Sequence, residues 1–150
     1  MKTLQFTQWL PVSLDEAWNF FASPANLNLI TPPGLKFTIL SEVPRMMHKD
    51  LVIRYRIQPM MKIGMRWVTR ITDIEDHVFF IDEQIKGPYK IWRHEHRFEE
   101  KEGGVLMTDT LNYDIGMGPI GWIAGKLWVD QQVRGIFEFR KNKLAEIFQR

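Results

Sequence analysis

WRHEHRFEEKEGGVLMTDTLNY, Trp92 to Tyr113, is the stretch that decides the fold. In its first half Trp92, His94, His96 and Phe98 share one side of an extended chain, while Arg93, Glu95 and Arg97 share the other. If Glu102-Gly103 is a two-residue turn, Lys101 pairs with Gly104 and the register follows. Phe98 then faces Met107, His96 faces Asp109, His94 faces Leu111 and Trp92 faces Tyr113. On the opposite side Arg97 meets Thr108, Glu95 meets Thr110 and Arg93 meets Asn112. Each face is chemically consistent in this register, and a one-residue slip would mix them. The stretch therefore reads as an antiparallel hairpin with one face buried.

Upstream, Leu4 to Leu10 alternates around Phe6 and Trp9 until Pro11 ends a first strand. Ser13 and Glu16 form an S-x-x-E capping box before Ala17, Trp18, Phe20 and Phe21, which predicts a helix from Leu14 that Ser23-Pro24 stops. Asn26 to Thr31 reads as further helical turns, closed by Pro32-Pro33-Gly34. Strands are expected at Leu35 to Glu42, Leu51 to Gln58, Ile63 to Ile74, His77 to Lys86, Tyr89 to Lys101 and Val105 to Ile115. After Gly116 and Gly118-Pro119, Val129, Val133, Ile136, Phe137, Leu144, Ile147 and Phe148 are spaced by threes and fours. A helix of up to about 28 residues there would span roughly 40 Å, enough to cross a sheet. This order predicts an α+β domain: a curved antiparallel sheet of about seven strands wrapped on a long C-terminal helix, with two short helices after strand 1. The space between sheet and helix is the candidate cavity.

The chain has 150 residues, 45% hydrophobic and 13% aromatic, which suits a single domain over residues 1–150. It has no cysteine, so disulfides, thiolate nucleophiles and sulfur-ligated metals fall away. Neither a basic n-region nor an apolar run of about 18 residues appears, so a cytoplasmic protein with no integral membrane association is expected. The net charge is +2, with Lys and Arg balanced locally by Asp and Glu, which speaks against nucleic acid as a partner. There is no G-x-S-x-G, no phosphate loop and no H-E-x-x-H, and the G-x-G of Gly116 to Gly118 lacks a third glycine. No cofactor is expected.

On the apolar face of the hairpin, Asp109 stands against His96, with His94 two residues away. Such a pair can fix the register as a satisfied polar contact, anchor a carbonyl or hydroxyl of a ligand, or move protons. His94, His96 and Asp109 resemble a two-His, one-carboxylate metal set, but no further His or Cys stands nearby, so no metal is expected. The preceding strand carries conflicting signals. A two-residue turn at Gly87-Pro88 would turn Phe79, Ile81, Glu83 and Ile85 inward. Matching the face of Met65, Trp67 and Ile71 turns Phe80, Asp82 and Gln84 inward instead, with a bulged or longer loop at Gly87-Pro88-Tyr89, and this second facing is preferred. Trp67, Trp92, Phe98, Met107, Leu111 and Tyr113 are expected to shape the cavity around His94, His96 and Asp109. Met46, Met47, Met60, Met61 and Met65 read as core filling or as a pliable mouth. Trp18, Trp122 and Trp128 read as core residues, and His48 and His77 as solvated.

Four stretches carry a family resemblance: SPANLNLITPP (Ser23 to Pro33), DEQIKGPYKIWRHEHRF (Asp82 to Phe98), TDTLNYDIGMGPIG (Thr108 to Gly121) and FEFRKNKL (Phe137 to Leu144). They resemble the bacterial ligand-binding branch of the START-like, or SRPBCC, helix-grip superfamily. The chain is also similar to the N-terminal module of sugar-epimerase-like proteins. The resemblance implies a seven-stranded sheet, a cavity under the last helix, and ligands that are lipids, sterols, polyketides or other hydrophobic compounds. The family pattern falls on Asp82, Gln84, Tyr89, Trp92, His94, His96, Asp109 and Tyr113. The function expected is binding of a small hydrophobic or aromatic ligand. The alternatives are a cyclase or dehydratase working through His96 and Asp109, and a regulatory module with an epimerase-like protein as partner.

Overall fold

A computed structural model describes residues 1–60, 63–116 and 119–149, with the backbone alone at 59, 60, 63 and 119–126. Met61 and Gly118, and the side chains of Met60 and Trp122, lie outside the described residues. Strand β1 (Lys2–Leu10) leads into helix α1 (Leu14–Phe21), and two 3₁₀ turns (Pro24–Ile30 and Pro33–Leu35) follow. Strands β2 (Thr38–Ile39), β3 (Val52–Met60), β4 (Ile63–Glu75), β5 (Phe79–Lys86), β6 (Ile91–Lys101) and β7 (Gly104–Asp114) precede helix α2 (Pro119–Ile147). The strands form one curved antiparallel sheet in the order β1-β7-β6-β5-β4-β3-β2, so six run as a meander and the first closes against the last. This is the predicted α+β helix-grip arrangement.

Local chemistry sets the boundaries. Ser13 Oγ accepts the Glu16 amide at 3.1 Å and starts α1. The expected strand at Leu35 to Glu42 shrinks to the two residues of β2, because Pro33–Leu35 forms a 3₁₀ turn and Lys36 takes a left-handed φ of 49°. Strand β5 starts at Phe79 rather than His77, which occupies the turn with a φ of 64°. The β6–β7 register is the one deduced from the sequence, from Trp92 opposite Tyr113 through His96 opposite Asp109 to Lys101 opposite Gly104.

The conflict over β5 is resolved by two bulges. Ile71 pairs with Asp82 but Asp73 with Ile81, so Thr72 is an extra residue in β4; Val68 pairs with Lys86 but Thr69 with Gln84, so Ile85 is an extra residue in β5. The Thr72 bulge switches which residues of β4 face inward, so Ile71 is buried while Ile74 packs against the same core beyond it. Phe80 and Asp82 pair with His96 and His94, which puts them on the inner face. Gln84 closes the following loop, donating to the Tyr89 carbonyl at 2.5 Å and accepting from the Tyr89 amide at 3.2 Å. A Cβ at position 87 would press on the Gln84 side chain, so a larger residue there would have to displace Gln84 from its bonds to Tyr89.

Helix α2 lies across the concave face. Its middle packs Val129, Val133 and Phe137 on Leu4, Leu111 and Tyr113, and Phe137 stacks on Phe6 of β1 at 4.4 Å. Its last turns carry Leu144, and Phe148 follows; both enter a core of Trp18, Phe21, Phe80, Phe98 and Met107 beneath α1. No helix among the described residues is long and apolar enough to cross a membrane. Leu144 is fully buried, so Leu144→Ala should destabilise the domain by about 2–5 kcal/mol, measured by urea unfolding, through the cavity it leaves under α1.

Candidate functional site

Between the sheet and α2 lies a cavity of about 140 Å³. Trp67 on β4, Trp92 on β6, Tyr89 from the β5–β6 loop and Ile136 on α2 form its apolar wall; Asp82, His94 and His96 stand on its polar side. The wall is a web of rings, with Trp67 edge-on to Trp92 at 5.2 Å and Trp92 against Tyr89 at 4.7 Å. Tyr55 adds a hydroxyl bonded to Thr69 Oγ1 at 3.1 Å. Burial pushes this phenol above its ordinary pKa against the effect of the Thr69 bond, and the nearby Asp82 charge pushes the same way, so Tyr55 is a neutral hydroxyl.

The polar side is assembled from four elements. His94 and His96 project inward from β6 with ring centres 3.7 Å apart, and Phe80 stacks on His96 at 4.1 Å. His96 Nε2 donates to Asp82 Oδ2 on β5 at 2.7 Å. Asp109 on β7 serves both imidazoles, with Oδ1 2.8 Å from His94 Nε2 and 3.2 Å from His96 Nδ1. The pairing inferred from the register is therefore modified: the shorter Asp109 bond runs diagonally to His94, and His96 has its shorter bond to Asp82. Arg140 reaches in from α2, with Nη2 3.4 Å from His96 Nδ1 and 3.9 Å from Asp109 Oδ1.

These contacts set the charges. Burial alone would raise the Asp109 pKa, but the Arg140 charge and the two imidazole hydrogen bonds hold it well below the ordinary carboxylate value. Asp82 is likewise lowered, since the His96 hydrogen bond and the surrounding positive charge overcome its burial. Burial opposes a charge on His96, yet its bonds to Asp109 and Asp82 win and raise its pKa. Burial prevails at His94, helped by repulsion from His96, and lowers its pKa. Two carboxylates are thus met by the Arg140 guanidinium and by His96, whose proton they favour, while His94 is held toward its neutral form. Two buried donors have no acceptor among the described residues: Trp67 Nε1 and Arg140 Nε, both on side chains that line the cavity.

Of the residues singled out in the sequence, Trp67, Asp82, Tyr89, Trp92, His94 and His96 line the cavity. The others do different work. Gln84 is turned onto the Tyr89 backbone, as described above. Phe98 and Met107 belong to the core beneath α1, and Leu111 and Tyr113 pack against α2, where the Tyr113 hydroxyl bonds Asp130. Asp109 lies behind the histidines and faces a second, open cleft of about 540 Å³ between β1 and α2, which Phe137 and Arg140 also border. Arg140 was not among the candidates, although Val133, Phe137, Arg140 and Leu144 form one buried stripe at helical spacing. An arginine within such a stripe is a readable signal.

A curved sheet covered by a long helix, with a cavity between them, defines a helix-grip domain of the START-like superfamily. The chain belongs to the polyketide cyclase / dehydrase and lipid transport family, whose model matches residues 10–137. A solved structure of a protein from Chromobacterium violaceum is similar over 99% of this chain and 97% of its own, at 8% identity and a TM-score of 0.74. A major latex-like protein of Panax ginseng is similar over 89% of this chain and 95% of its own, at 14% identity and a TM-score of 0.59. A nucleoside-diphosphate sugar epimerase of Corynebacterium glutamicum is similar over 95% of this chain but only 28% of its own, at 20% identity and a TM-score of 0.67. These likenesses concern the fold. No curated protein matches the chain.

The two imidazoles should titrate on opposite sides of the ordinary histidine value of 6.5, His96 above and His94 below, which NMR of the ring nitrogens would resolve. The stability that His96 supplies is fully present below 6.5 and lost as pH rises through its folded pKa; neutral His94 acts oppositely, costing stability as pH falls below 6.5. Asp82 and Asp109 supply stability present above 3.8 and lost as pH drops through their lowered values, so acid unfolding should set in below that point.

Proposed function

We propose that the protein binds a small apolar molecule of about one ring, carrying a polar group that meets the Asp82, His94 and His96 side of the cavity. The observation that carries this reading is a ring-lined cavity with one localised polar side. Its volume sets the size. An apolar cavity of about 150 Å³ accepts benzene, whereas pockets for drug-sized molecules run to roughly 300–1,000 Å³. At about 140 Å³ the cavity suits a single-ring aromatic or a short acyl group, and it holds only part of a sterol or multi-ring polyketide. The family description, which joins cyclases, dehydrases and lipid transport, supports a ligand-holding role and leaves the ligand open.

The polar side discriminates among ligands as well. A neutral guest leaves the contacts among the carboxylates, the imidazoles and Arg140 intact, while an uncompensated buried charge is costly. The unpartnered donors Trp67 Nε1 and Arg140 Nε favour a guest with an acceptor oxygen.

Neutral single-ring compounds such as acetophenone or benzaldehyde should raise the melting temperature, and sterols and long-chain fatty acids should not. A ligand at a hundredfold excess over its Kd stabilises by about 2.7 kcal/mol, a shift on the order of 5–10 °C for a domain of this size. Ile136→Trp should fill the cavity and abolish the shift while leaving the fold intact. Stabilisation by sterols but by no single-ring compound would sink the reading.

A further inference from the structure

We propose that Asp82, His94 and His96 form a binding site for a divalent first-row transition-metal ion, with Asp109 as the outer carboxylate that orients both imidazoles. The point of convergence is Asp82 Oδ2, which lies 2.7 Å from His96 Nε2 and 3.8 Å from His94 Nδ1. One ligand atom from each of the three residues falls within 4.8 Å of the others. The far nitrogens, His94 Nε2 and His96 Nδ1, both turn to Asp109 Oδ1, at 2.8 and 3.2 Å. Metal-ligating histidines characteristically give their other N–H to a carboxylate, which fixes the tautomer and aims the free lone pair. Here a single carboxylate does so for two rings on one strand, and both remaining nitrogens are on the Asp82 side.

The spacing is compatible with an ion. With bonds of about 2.1 Å to nitrogen and oxygen, tetrahedral ligand atoms stand about 3.4 Å apart. The two distances from Asp82 bracket that value, and the Asp82 side chain is 20% exposed, so a small turn of its carboxyl group would even them. Two imidazoles and one carboxylate suit Zn²⁺, Fe²⁺ or Co²⁺ and leave at least one coordination position open. Asp82, His94 and His96 line the cavity and Asp109 does not, so the open position faces the space available to a bound molecule. Arg140 also borders the cavity, with Nη2 3.4 Å from His96 Nδ1 and 3.9 Å from Asp109 Oδ1, so its charge supports the outer carboxylate. Binding releases the proton that His96 Nε2 gives to Asp82, and the two carboxylates then face the ion together with the Arg140 guanidinium. The sequence suggested Asp109 as the third ligand of such a set; the bulged β4–β5 pairing supplies Asp82 and moves Asp109 behind it.

The test uses the metal alone, so it stands or falls apart from the organic-ligand reading. Zn²⁺ titrated into the chelator-stripped full chain should bind at one ion per chain by calorimetry and raise the melting temperature. Co²⁺ should give the intense visible absorption of a four- or five-coordinate nitrogen and oxygen site. Asp109→Asn should weaken Zn²⁺ binding by about 10- to 100-fold and Asp82→Asn by more, whereas His48→Gln and His77→Gln should leave it unchanged. Asp82→Asn is near-isosteric and partly exposed, and its circular dichroism spectrum and melting curve show whether it has folded. Absence of saturable binding by the wild-type chain, or binding that a folded Asp82→Asn variant leaves intact, would overturn the proposal.

Discussion

The ionised carboxylate of Asp109 is the constraint on which the rest of the structure depends. It is 3% exposed, and a buried carboxylate is tolerable only where its charge is met on several sides. His94 and His96 meet it from the neighbouring strand, and Arg140 from the helix above. Through His96 the tie continues to Asp82 on β5. One oxygen atom thereby relates three adjacent strands and α2, and it fixes where along the sheet the middle of the helix sits. Apolar packing would hold the helix down without specifying that position so narrowly, because dispersion contacts tolerate small slides that a charge network does not. Elsewhere α2 is tied separately, by Lys2 and Tyr113 to Asp130 ahead of Arg140 and by Leu144 in the α1 core after it.

The parts legible in the sequence were those governed by local periodicity. The β6–β7 register followed from a two-residue turn and the chemistry of two faces. The α1 cap followed from Ser13 and Glu16, and the length of α2 from its apolar spacing. The parts that escaped depend on irregular backbone. Nothing local announces that Thr72 and Ile85 are bulged, yet those two residues decide whether Asp82 faces the histidines. Lys36 adopts a left-handed conformation that a non-glycine residue rarely takes, so the shortness of β2 was hidden. The Asp109 bond to His94 instead of its register partner is a matter of side-chain reach, which pairing alone does not determine. Arg140 was missed for another reason: an arginine on a helix defaults to solvent, and only its place within the stripe of Val133, Phe137 and Leu144 shows otherwise.

The small size of the cavity has a specific origin. In this fold the space beneath the helix is as large as the inward side chains leave it, and here Tyr55, Trp67, Tyr89 and Trp92 all project into it. They lean on one another more than on the helix, as the ring contacts from Tyr55 through Trp67 to Tyr89 and Trp92 show. The aromatic wall is thus self-supporting, and α2 contributes mainly Ile136 and Phe137 as a roof.

Wall and polar side answer to different constraints. Trp67, Tyr89, Trp92 and Ile136 come from three elements and one loop and carry no charge, so exchanging them alters volume and shape without disturbing the electrostatic balance. Asp82, His94, His96, Asp109 and Arg140 have no such freedom, because removing any one of the charged members leaves another buried without its partner. The polar chemistry presented to a guest is therefore tied to the stability of the sheet–helix contact, whereas guest size is set by residues that can change singly. Arg140 stands where these constraints meet: it borders the aromatic cavity on one side and the β1–α2 cleft on the other, and its charge helps hold Asp109 ionised between them. A displacement of α2 that enlarged the cavity would also draw Arg140 away from Asp109, so the cost of admitting a larger guest is electrostatic as well as steric.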